Sequence, residues 1–437
     1  MKRFFSSPIM VLAVSLSLAA GMSAASPGYA VGELSNHEIW VVDQSDTTAD
    51  GGGTLYIYQS SQVAGQSPAA APEVVDLGGA TRDLCLAATG TAPRRPHMLF
   101  FNAAHSHAVL AFVVTGHVVF YNAESRAPVG CIDVGAQAHA AFPSPDQSFV
   151  AVSNQNGKLV QRIETDYPTN TFTLNDAATL NLATCTTPSG ALCEDPVLRP
   201  DNAPICPAAL TASGLFVQTL RGGGLFVIDA TATPMAIVGE YDKNAVHPNG
   251  CGGVEHGDTV YFNSGGATAG VLHADVYRLP LNAFSSTPNP PNTPAPTLVF
   301  SHDDRGFVDS HGMVLVDGGR YLWVDDRAAN KVIVVNTSRN RVVNEFSLAG
   351  AVSSDPAPDL MDIAPNGARV YVSLRGPNPL SGNDPALGNA VGNTPGLGVI
   401  KINQNGATGA LVSVARITNV VDGVERADPH AVAVRRT

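Results

Sequence analysis

The sequence contains an internal repeat whose unit is a short antiparallel meander of β-strands. Residues 139–163 read HAAFPSPDQSFVAVSNQNGKLVQRI, residues 311–337 read HGMVLVDGGRYLWVDDRAANKVIVVNT, and residues 359–374 read DLMDIAPNGARVYVSL. Each unit alternates apolar and polar residues over strand-length segments, which are separated by turns rich in Gly, Asp and Asn. A repeat of this kind decides the fold, because each unit has to bury its apolar faces against its neighbours.

Seven such units are predicted along the chain. Their first strands begin near His97, His139, Cys206, Gly250, His311, Asp359 and His430. The last unit has one strand, and residues 37–44, 54–60 and 72–78 supply the three that it lacks. We therefore predict an all-β fold, a seven-bladed β-propeller of four-stranded antiparallel blades, whose ring is closed by N-terminal strands joining the C-terminal strand. The alternative, a β-sandwich with a second domain, leaves this complementarity to chance.

Uneven spacing between the units indicates that some blades carry insertions. The clearest are residues 164–205, which contain two cysteines, the Pro/Thr-rich residues 282–296 and the Gly/Pro/Asn-rich residues 376–394. Insertions on a rigid repeat scaffold often form a binding face, although they can equally be inert surface loops. We treat residues 31–437 as a single propeller domain that contains all three.

The first thirty residues have the features of a secretory signal peptide. Lys2 and Arg3 precede an apolar stretch at residues 9–20, and small residues then offer cleavage sites after Ala25 or Ala30. The apolar stretch is too short for a comfortable membrane span, and no later stretch is long and apolar enough to form one. We therefore expect a protein that is periplasmic or secreted and has no membrane span in its mature form.

Six cysteines are an even number, which in an oxidising compartment favours disulfides over thiolate metal ligands. They are Cys85, Cys131, Cys185, Cys193, Cys206 and Cys251. Six cysteines allow fifteen pairings. Cys185 with Cys193 is the favoured local pair, because the two flank a Pro-Ser-Gly turn.

The net charge of the chain argues against nucleic acid as a partner. The chain has 25 Lys and Arg against 37 Asp and Glu, a formal net charge of −12, and no basic cluster. Nothing would neutralise phosphates, so nucleic acid is not an expected partner. The glycine run at 222–224 lies in a turn with no helix after it, so it is not a phosphate loop. Neither a Gly-x-Ser-x-Gly nor a His-Glu-x-x-His motif occurs.

Histidine recurs at one position of the repeat, the first residue of the innermost strand. Four units have it there, namely His97, His139, His311 and His430, and a fifth has Asp359. Innermost strands run side by side around the central channel, so equivalent first residues form a ring at one channel mouth. Imidazoles with a carboxylate suit copper, zinc or iron better than calcium or magnesium. We predict a metal site there; the alternative is a structural role in which these histidines bond neighbouring blades.

Three further residues are candidates for the same site. Asp309 and Asp428 each lie two residues before a ring histidine. They share its strand face, so they can orient the imidazole or join the ligand set. His247 lies just before the fourth unit and can reach the same mouth. No catalytic residue is assigned beyond these candidate ligands.

The repeats resemble a known family. Residues 142–160, FPSPDQSFVAVSNQNGKLV, and residues 315–337, LVDGGRYLWVDDRAANKVIVVNT, are similar to repeats of the YVTN-type seven-bladed propellers, although neither contains the literal YVTN string. Such a similarity specifies fold better than function. The predicted histidine-lined channel mouth resembles those of nitrous oxide reductases, thiocyanate dehydrogenases and the methanethiol oxidase/selenium-binding proteins. That resemblance implies copper, in preference to zinc, and the oxidation or reduction of a small inorganic or sulfur compound.

Two function classes stay open at this point. The first is an exported copper-dependent oxidoreductase, which would pass electrons to a periplasmic partner because no second cofactor site is visible. The second is a non-catalytic periplasmic or cell-envelope binding protein that uses the propeller face and the insertion loops. A calcium-dependent propeller lactonase is disfavoured because imidazole is a poor calcium ligand. A non-covalent haem would use only one or two histidines.

Overall fold

A computed structural model describes residues 36–49, 51–65, 71–265, 274–284, 294–302, 308–380 and 391–436. The predicted signal peptide lies outside the described residues. So do residues 285–293 and 381–390, which are the centres of two predicted insertions. Among the described residues, no helix is long and apolar enough to cross a membrane.

Three strands and one helix come first in the chain. They are β1 (His37–Asp43), β2 (Thr54–Gln59), β3 (Glu73–Asp76) and α1 (Ala80–Thr89). The sequence shows almost no helical periodicity, and α1 was not predicted. Gly90 ends the helix in the left-handed region, at φ 82°, and its N–H donates to the carbonyl of Leu86.

The first three blades follow in chain order, each a meander in which consecutive strands pair. The first contains β4 (Pro96–Phe101), β5 (His107–Phe112), β6 (His117–Asn122) and β7 (Pro128–Asp133). The second contains β8 (Ala138–Pro143), β9 (Phe149–Asn154), β10 (Leu159–Asp166) and β11 (Thr171–Leu174), and the short β12 (Leu180–Asn181) also pairs with β10. The third contains β13 (Pro204–Leu210), β14 (Leu215–Leu220), β15 (Leu225–Asp229) and β16 (Ala236–Tyr241).

Three more blades and a small hairpin complete the chain up to its last strand. The fourth contains β17 (Gly253–His256), β18 (Thr259–Gly265), β19 (Ala274–Pro280) and β20 (Thr297–His302). The fifth contains β21 (Met313–Val316), β22 (Tyr321–Asp326), β23 (Lys331–Asn336) and β24 (Arg341–Ser347). The sixth contains β25 (Pro358–Ile363), β26 (Arg369–Leu374), β27 (Gly396–Asn403) and β28 (Thr408–Arg416). The hairpin is β29 (Val420–Val421) with β30 (Val424–Glu425), and β31 (Pro429–Arg436) comes last.

The seventh blade, here called the closing blade, has the strand order β3-β2-β1-β31. The C-terminal strand is innermost, and β1 pairs with it antiparallel from His37 opposite Arg436 to Asp43 opposite Pro429. The predicted seven-bladed propeller and its closure by N-terminal strands are both confirmed. Residues 164–205 are only partly an insertion, because they contain the end of β10 and the fourth strand of the second blade.

The core lies between the faces of neighbouring blades. Middle strands such as β23 are buried at every residue, whereas the outermost β24 alternates exposed and half-buried residues. Between the closing and first blades, Trp40 packs edge-on against Phe101, with ring centroids 5.1 Å apart. Where the fourth blade meets the fifth, a Cβ on Gly252 would lie 2.3 Å from the carbonyl oxygen of His311, so the close approach requires glycine.

Three disulfides join the six cysteines. The predicted local pair, Cys185–Cys193, is present. The other two are Cys85–Cys131, which ties α1 to β7, and Cys206–Cys251, which ties the third blade to the fourth. Such a set is typical of an oxidising compartment.

Candidate metal centre

The ring residues occupy equivalent places at the start of the innermost strands. His97, His139, Asp359 and His430 are the second residues of β4, β8, β25 and β31, and His311 lies two residues before β21. All but His139 are buried: His97 is 2%, His311 8%, His430 1% and Asp359 0% exposed. His139 is partly exposed.

A β-bulge occurs at this position in five innermost strands. The pairing with the second strand shifts between Pro96 and Leu99, Ala138 and Ala140, Pro204 and Pro207, Pro358 and Met361, and Pro429 and Ala431. Each interval contains the residue that the repeat places at the channel mouth. Bulges commonly re-aim a side chain next to a functional site, and here they do so in register around the ring.

The four predicted histidines form a continuous series of contacts. Nε2 of His97 lies 3.3 Å from Nε2 of His139. The rings of His97 and His430 stack with centroids 3.7 Å apart, and those of His430 and His311 meet at 73° with centroids 5.2 Å apart. Ligand atoms of His311, Asp359 and His430 all lie within 4.8 Å of one another. The structure therefore brings together five of the six predicted metal ligands.

Three of these imidazoles have a defined tautomer. Nδ1 of His430 lies 3.2 Å from the carbonyl oxygen of His97, which can only accept, so this nitrogen donates. Nδ1 of His311 likewise donates to the carboxylate of Asp359. In all these cases the proton sits on Nδ1, which leaves the lone pair on Nε2.

The third tautomer is set through Gln44, the residue after β1. The side-chain Nε2 of Gln44 donates to Asp428 over 3.1 Å. The other polar atom of this side chain, Oε1, is therefore an acceptor. Nδ1 of His97 lies 2.8 Å from that Oε1 and therefore donates to it. The Nε2 lone pair of His97 is thus left for the partner it faces, His139.

Burial disfavours the charged form of three ring imidazoles. It lowers the pKa of His139 to about 4 and holds the pKa values of His97 and His430 well below the usual histidine value. Neighbouring ring histidines act in the same direction, because a second positive charge nearby is unfavourable. Neutral imidazoles at neutral pH are the form that binds a metal ion.

Asp359 is held as an anion by two buried arginines. Its Oδ2 accepts hydrogen bonds from Arg375 over 2.7 Å and from Arg327 over 3.2 Å. Burial by itself would raise the pKa of Asp359, but the surrounding cationic groups outweigh it and hold that pKa well below its usual range. Since its oxygens already bond His311 and the arginines, Asp359 acts chiefly to orient the imidazole.

Asp309 and Asp428 contact these arginines. Asp309 accepts two bonds from Arg327, at 2.7 and 2.9 Å, and Asp428 accepts two from Arg375, both at 2.6 Å. Asp309 is therefore linked to His311 by the hydrogen bonds of Arg327 and Asp359. Asp428 is linked to His97 by the hydrogen bonds of Gln44. With Asp359, the three carboxylates and two guanidinium groups leave one formal negative charge in excess, which favours a cation at the ring.

Sequence reasoning missed this supporting layer, although the repeat contains a signal for it. In five blades the residue directly after the second strand is polar or basic, and we call these five the support residues. They are Gln44, Gln155, Arg221, Arg327 and Arg375. A comparison of the repeats at the end of the second strand, as well as at the start of the first, would have found them.

His247 pairs with a residue outside this cluster. Its Nδ1 pairs with the carboxylate of Asp275, and its ring is 37% exposed. Among the described residues, the groups of potential metal ligands within 4.8 Å of one another do not include His247. Its sequence position before the fourth unit was suggestive, but the chain turns its imidazole towards β19.

A disulfide lies beside His139. Sγ of Cys251 is 3.8 Å from Nε2 of His139, and Cys206 belongs to the same group of close ligand atoms. Cys206 and Cys251 stand at the ring positions of the third and fourth blades. All seven units therefore place a potential ligand type at this mouth.

Comparisons with known proteins support the fold. No protein-family model matches the chain, and no curated protein matches it. Among solved structures, a protein from Lactobacillus plantarum is similar with a TM-score of 0.57 at 12% identity, covering 91% of this chain and 99% of its own. The periplasmic gluconolactonase of Pseudomonas aeruginosa is similar with a TM-score of 0.55 at 13% identity, covering 92% and 99%.

A β-propeller domain from Myceliophteria thermophila is also similar, with a TM-score of 0.50 at 11% identity, covering 74% of this chain and 87% of its own. At such identities the likeness concerns the fold alone, because one propeller scaffold carries many unrelated functions. The comparisons therefore establish the β-propeller fold, and the chemistry of the channel mouth rests on the side chains themselves.

Proposed function

We propose that this chain is an exported, copper-binding β-propeller that oxidises or reduces a small inorganic or sulfur compound at its histidine ring. One observation carries the proposal. His97, His311 and His430 each donate Nδ1–H to a protein acceptor, which leaves an Nε2 lone pair on each ring. Metal-bound histidines are held in the same way.

The donor set fits copper. Two nitrogens bound to one tetrahedral ion at about 2.05 Å lie about 3.3 Å apart, and the Nε2 atoms of His97 and His139 are separated by 3.3 Å. Among divalent first-row ions, copper binds nitrogen ligands most tightly. When bound, copper would exchange single electrons with a substrate at an open coordination position.

The residues around the ring hold the histidines in position and exclude water from them. Asp359, fixed by Arg327 and Arg375, holds His311 in one orientation, and Gln44 does the same for His97. The near-complete burial of three ring histidines limits access to small molecules. A substrate would approach beside His139, the partly exposed member of the ring.

The protein is proposed to function in an oxidising compartment outside the cytoplasm. Three disulfides favour an oxidising compartment, in keeping with export by the predicted signal peptide. A catalytic cycle would then pass electrons to a periplasmic partner protein, for which no residue is assigned.

The test is metal analysis of the full chain. After copper loading and removal of excess, we expect at least one equivalent of copper and a Cu(II) electron paramagnetic resonance signal with nitrogen hyperfine coupling. His311→Ala should lose most of the copper and keep the circular dichroism spectrum of the parent. Full copper content in both His311→Ala and His430→Ala would contradict the site.

A matched control is His107→Ala. His107 is as buried as the ring histidines, at 4% exposed, but it starts β5 and bonds Asn170 at the opposite end of the blade. This variant should keep full copper. Turnover of sulfide, a small thiol or nitrous oxide with an artificial electron carrier tests the activity. Bound copper without any turnover would favour the non-catalytic binding protein.

A further inference from the structure

One disulfide occupies two positions of the ring. Cys206 lies in the bulged start of β13, where other blades carry histidine or aspartate, and Cys251 lies two residues before β17. They are bonded to each other across the third and fourth blades. The ring therefore consists of four histidines, one aspartate and a cystine.

This disulfide differs from the other two in its surroundings. Cys85–Cys131 anchors α1 to β7, and Cys185–Cys193 spans eight residues within one loop. Among the described residues, Cys206–Cys251 alone belongs to a group of potential metal ligands, with His139 as its third member. A purely structural cross-link would not need an imidazole nitrogen beside its sulfurs.

One distance in this group is close to that between two ligands of a single metal ion. A nitrogen and a sulfur on one tetrahedral ion, at about 2.05 and 2.3 Å, lie about 3.6 Å apart. Nε2 of His139 and Sγ of Cys251 are 3.8 Å apart. Once the S–S bond is broken, side-chain rotation can bring the sulfurs to the about 3.8 Å expected for two thiolates on one ion.

We propose that Cys206–Cys251 is a redox switch and that its reduction creates a second site, at His139, Cys206 and Cys251, for one thiophilic metal ion. A dithiol reductant would supply two electrons and two protons. The S–S bond breaks, two thiols form, and the reductant becomes a cyclic disulfide. Binding of the ion then displaces the two thiol protons, because thiolates are the ligands.

His139 links this site to the histidine ring. While the disulfide is intact, Nε2 of His139 contacts Nε2 of His97. After reduction, the same nitrogen can bind the metal ion that the two thiolates bind. Cys206 is fully buried, whereas Cys251 is 7% exposed beside the partly exposed His139, so a reductant would attack the sulfur of Cys251. The second site does not depend on copper binding by the other histidines.

The test uses Cd²⁺, which does not oxidise thiols, with the full chain. One sample is left oxidised; the other is reduced with a dithiol that is then removed. The reduced protein should bind one further equivalent of Cd²⁺ and show cadmium–thiolate charge-transfer absorption that the oxidised protein lacks. Equal binding by both samples, or no thiols released from Cys206 and Cys251, would overturn the proposal.

Variants separate this site from the other disulfides and from the copper site. Cys206→Ser/Cys251→Ser should lose the further equivalent, whereas Cys185→Ser/Cys193→Ser should keep it. If the first double variant fails to fold, His139→Ala provides the test, since it should release the same thiols but bind Cd²⁺ at least tenfold more weakly. Unchanged affinity in His139→Ala would overturn the assigned ligand set. His311→Ala should keep the cadmium signal even where it loses copper.

Discussion

At the scale of single residues, the ring depends on side chains that are not themselves members of it. Gln44 connects Asp428 to Nδ1 of His97, and a neutral side chain thereby determines which nitrogen of a buried histidine is free. The histidines were predictable, because they recur in the repeat. The role of Gln44 was not predicted, because it depends on β31, from the other end of the sequence, bringing Asp428 beside β1.

Replacing Gln44 by Leu should therefore weaken metal binding without unfolding the protein. Loss of the acceptor leaves His97 free to adopt either tautomer, and loss of such a partner typically costs a factor of about 10–100 in affinity. Copper affinity is measured by competition with a chelator. Gln161→Leu is the control, because Gln161 is a buried glutamine whose bond is to Asn154. Equal affinity in Gln44→Leu and the parent would refute this role.

At the scale of elements, bulges and strand ends position the site. The alternating pattern predicts strands correctly, but a bulge changes the register by one residue and leaves no clear trace in hydrophobicity. Asp43, the last residue of β1, shows the same dependence on partners. Its Oδ1 accepts from the backbone N–H of Asp428 over 2.8 Å and of Ser45 over 3.0 Å, which ties both chain ends of the closing blade together.

Asp43 should make the protein less stable as the pH rises. Burial raises the pKa of Asp43 to about 7, from 3.8. The native carboxyl thus holds its proton more tightly than the unfolded one. Its contribution to the free energy of unfolding is complete below about pH 4 and is lost as the pH approaches 7, at a cost of about 2–4 kcal/mol.

Asp43→Asn should remove this dependence, because the amide keeps the acceptor oxygen and has no charge to bury. Urea unfolding at pH 4 and pH 8 measures it, on metal-free protein. We expect a stabilised variant at pH 8 and little change at pH 4. The exposed Asp133→Asn is the control and should show no such difference. A destabilised Asp43→Asn at pH 8 would show that the charged form is the favoured one.

At the scale of the whole molecule, closure of the ring creates the site. Each blade places at most one ring residue, so no blade could bind a metal alone. His430 belongs to β31, whose innermost place in the closing blade depends on pairing with β1 near the other end of the chain. Ring closure also buries the interface in which Trp40 packs.

Truncation of the chain before Pro429 should therefore abolish cooperative folding as well as metal binding. The truncated protein loses the whole inner strand of one blade and exposes β1 as an unpaired edge. Urea unfolding followed by circular dichroism, together with limited proteolysis, measures the effect. Removal of Arg436 and Thr437 alone is the control and should be nearly neutral. Cooperative unfolding of the longer truncation would show that closure is dispensable.

The sequence by itself determined the strand pattern, the number of blades, the closure and the residues that recur at the channel mouth. These are properties of a repeat, and a repeat makes residues equivalent without any knowledge of distances. The local disulfide Cys185–Cys193 could also be predicted from the sequence, because a turn brings its cysteines together. For His247, nearness to a unit in sequence did not predict the partner of its imidazole, which is Asp275.

Only the tertiary structure decided which nitrogen of three ring histidines is free, that Asp309 and Asp428 bond arginines, and that Cys206 pairs with Cys251. These features depend on hydrogen bonds between side chains from different blades, with lengths near 3 Å. Sequence periodicity gives the face on which a residue lies to within a few ångströms. A hydrogen bond or a shared metal ion requires placement to a few tenths of an ångström, which arises only when all seven blades pack together.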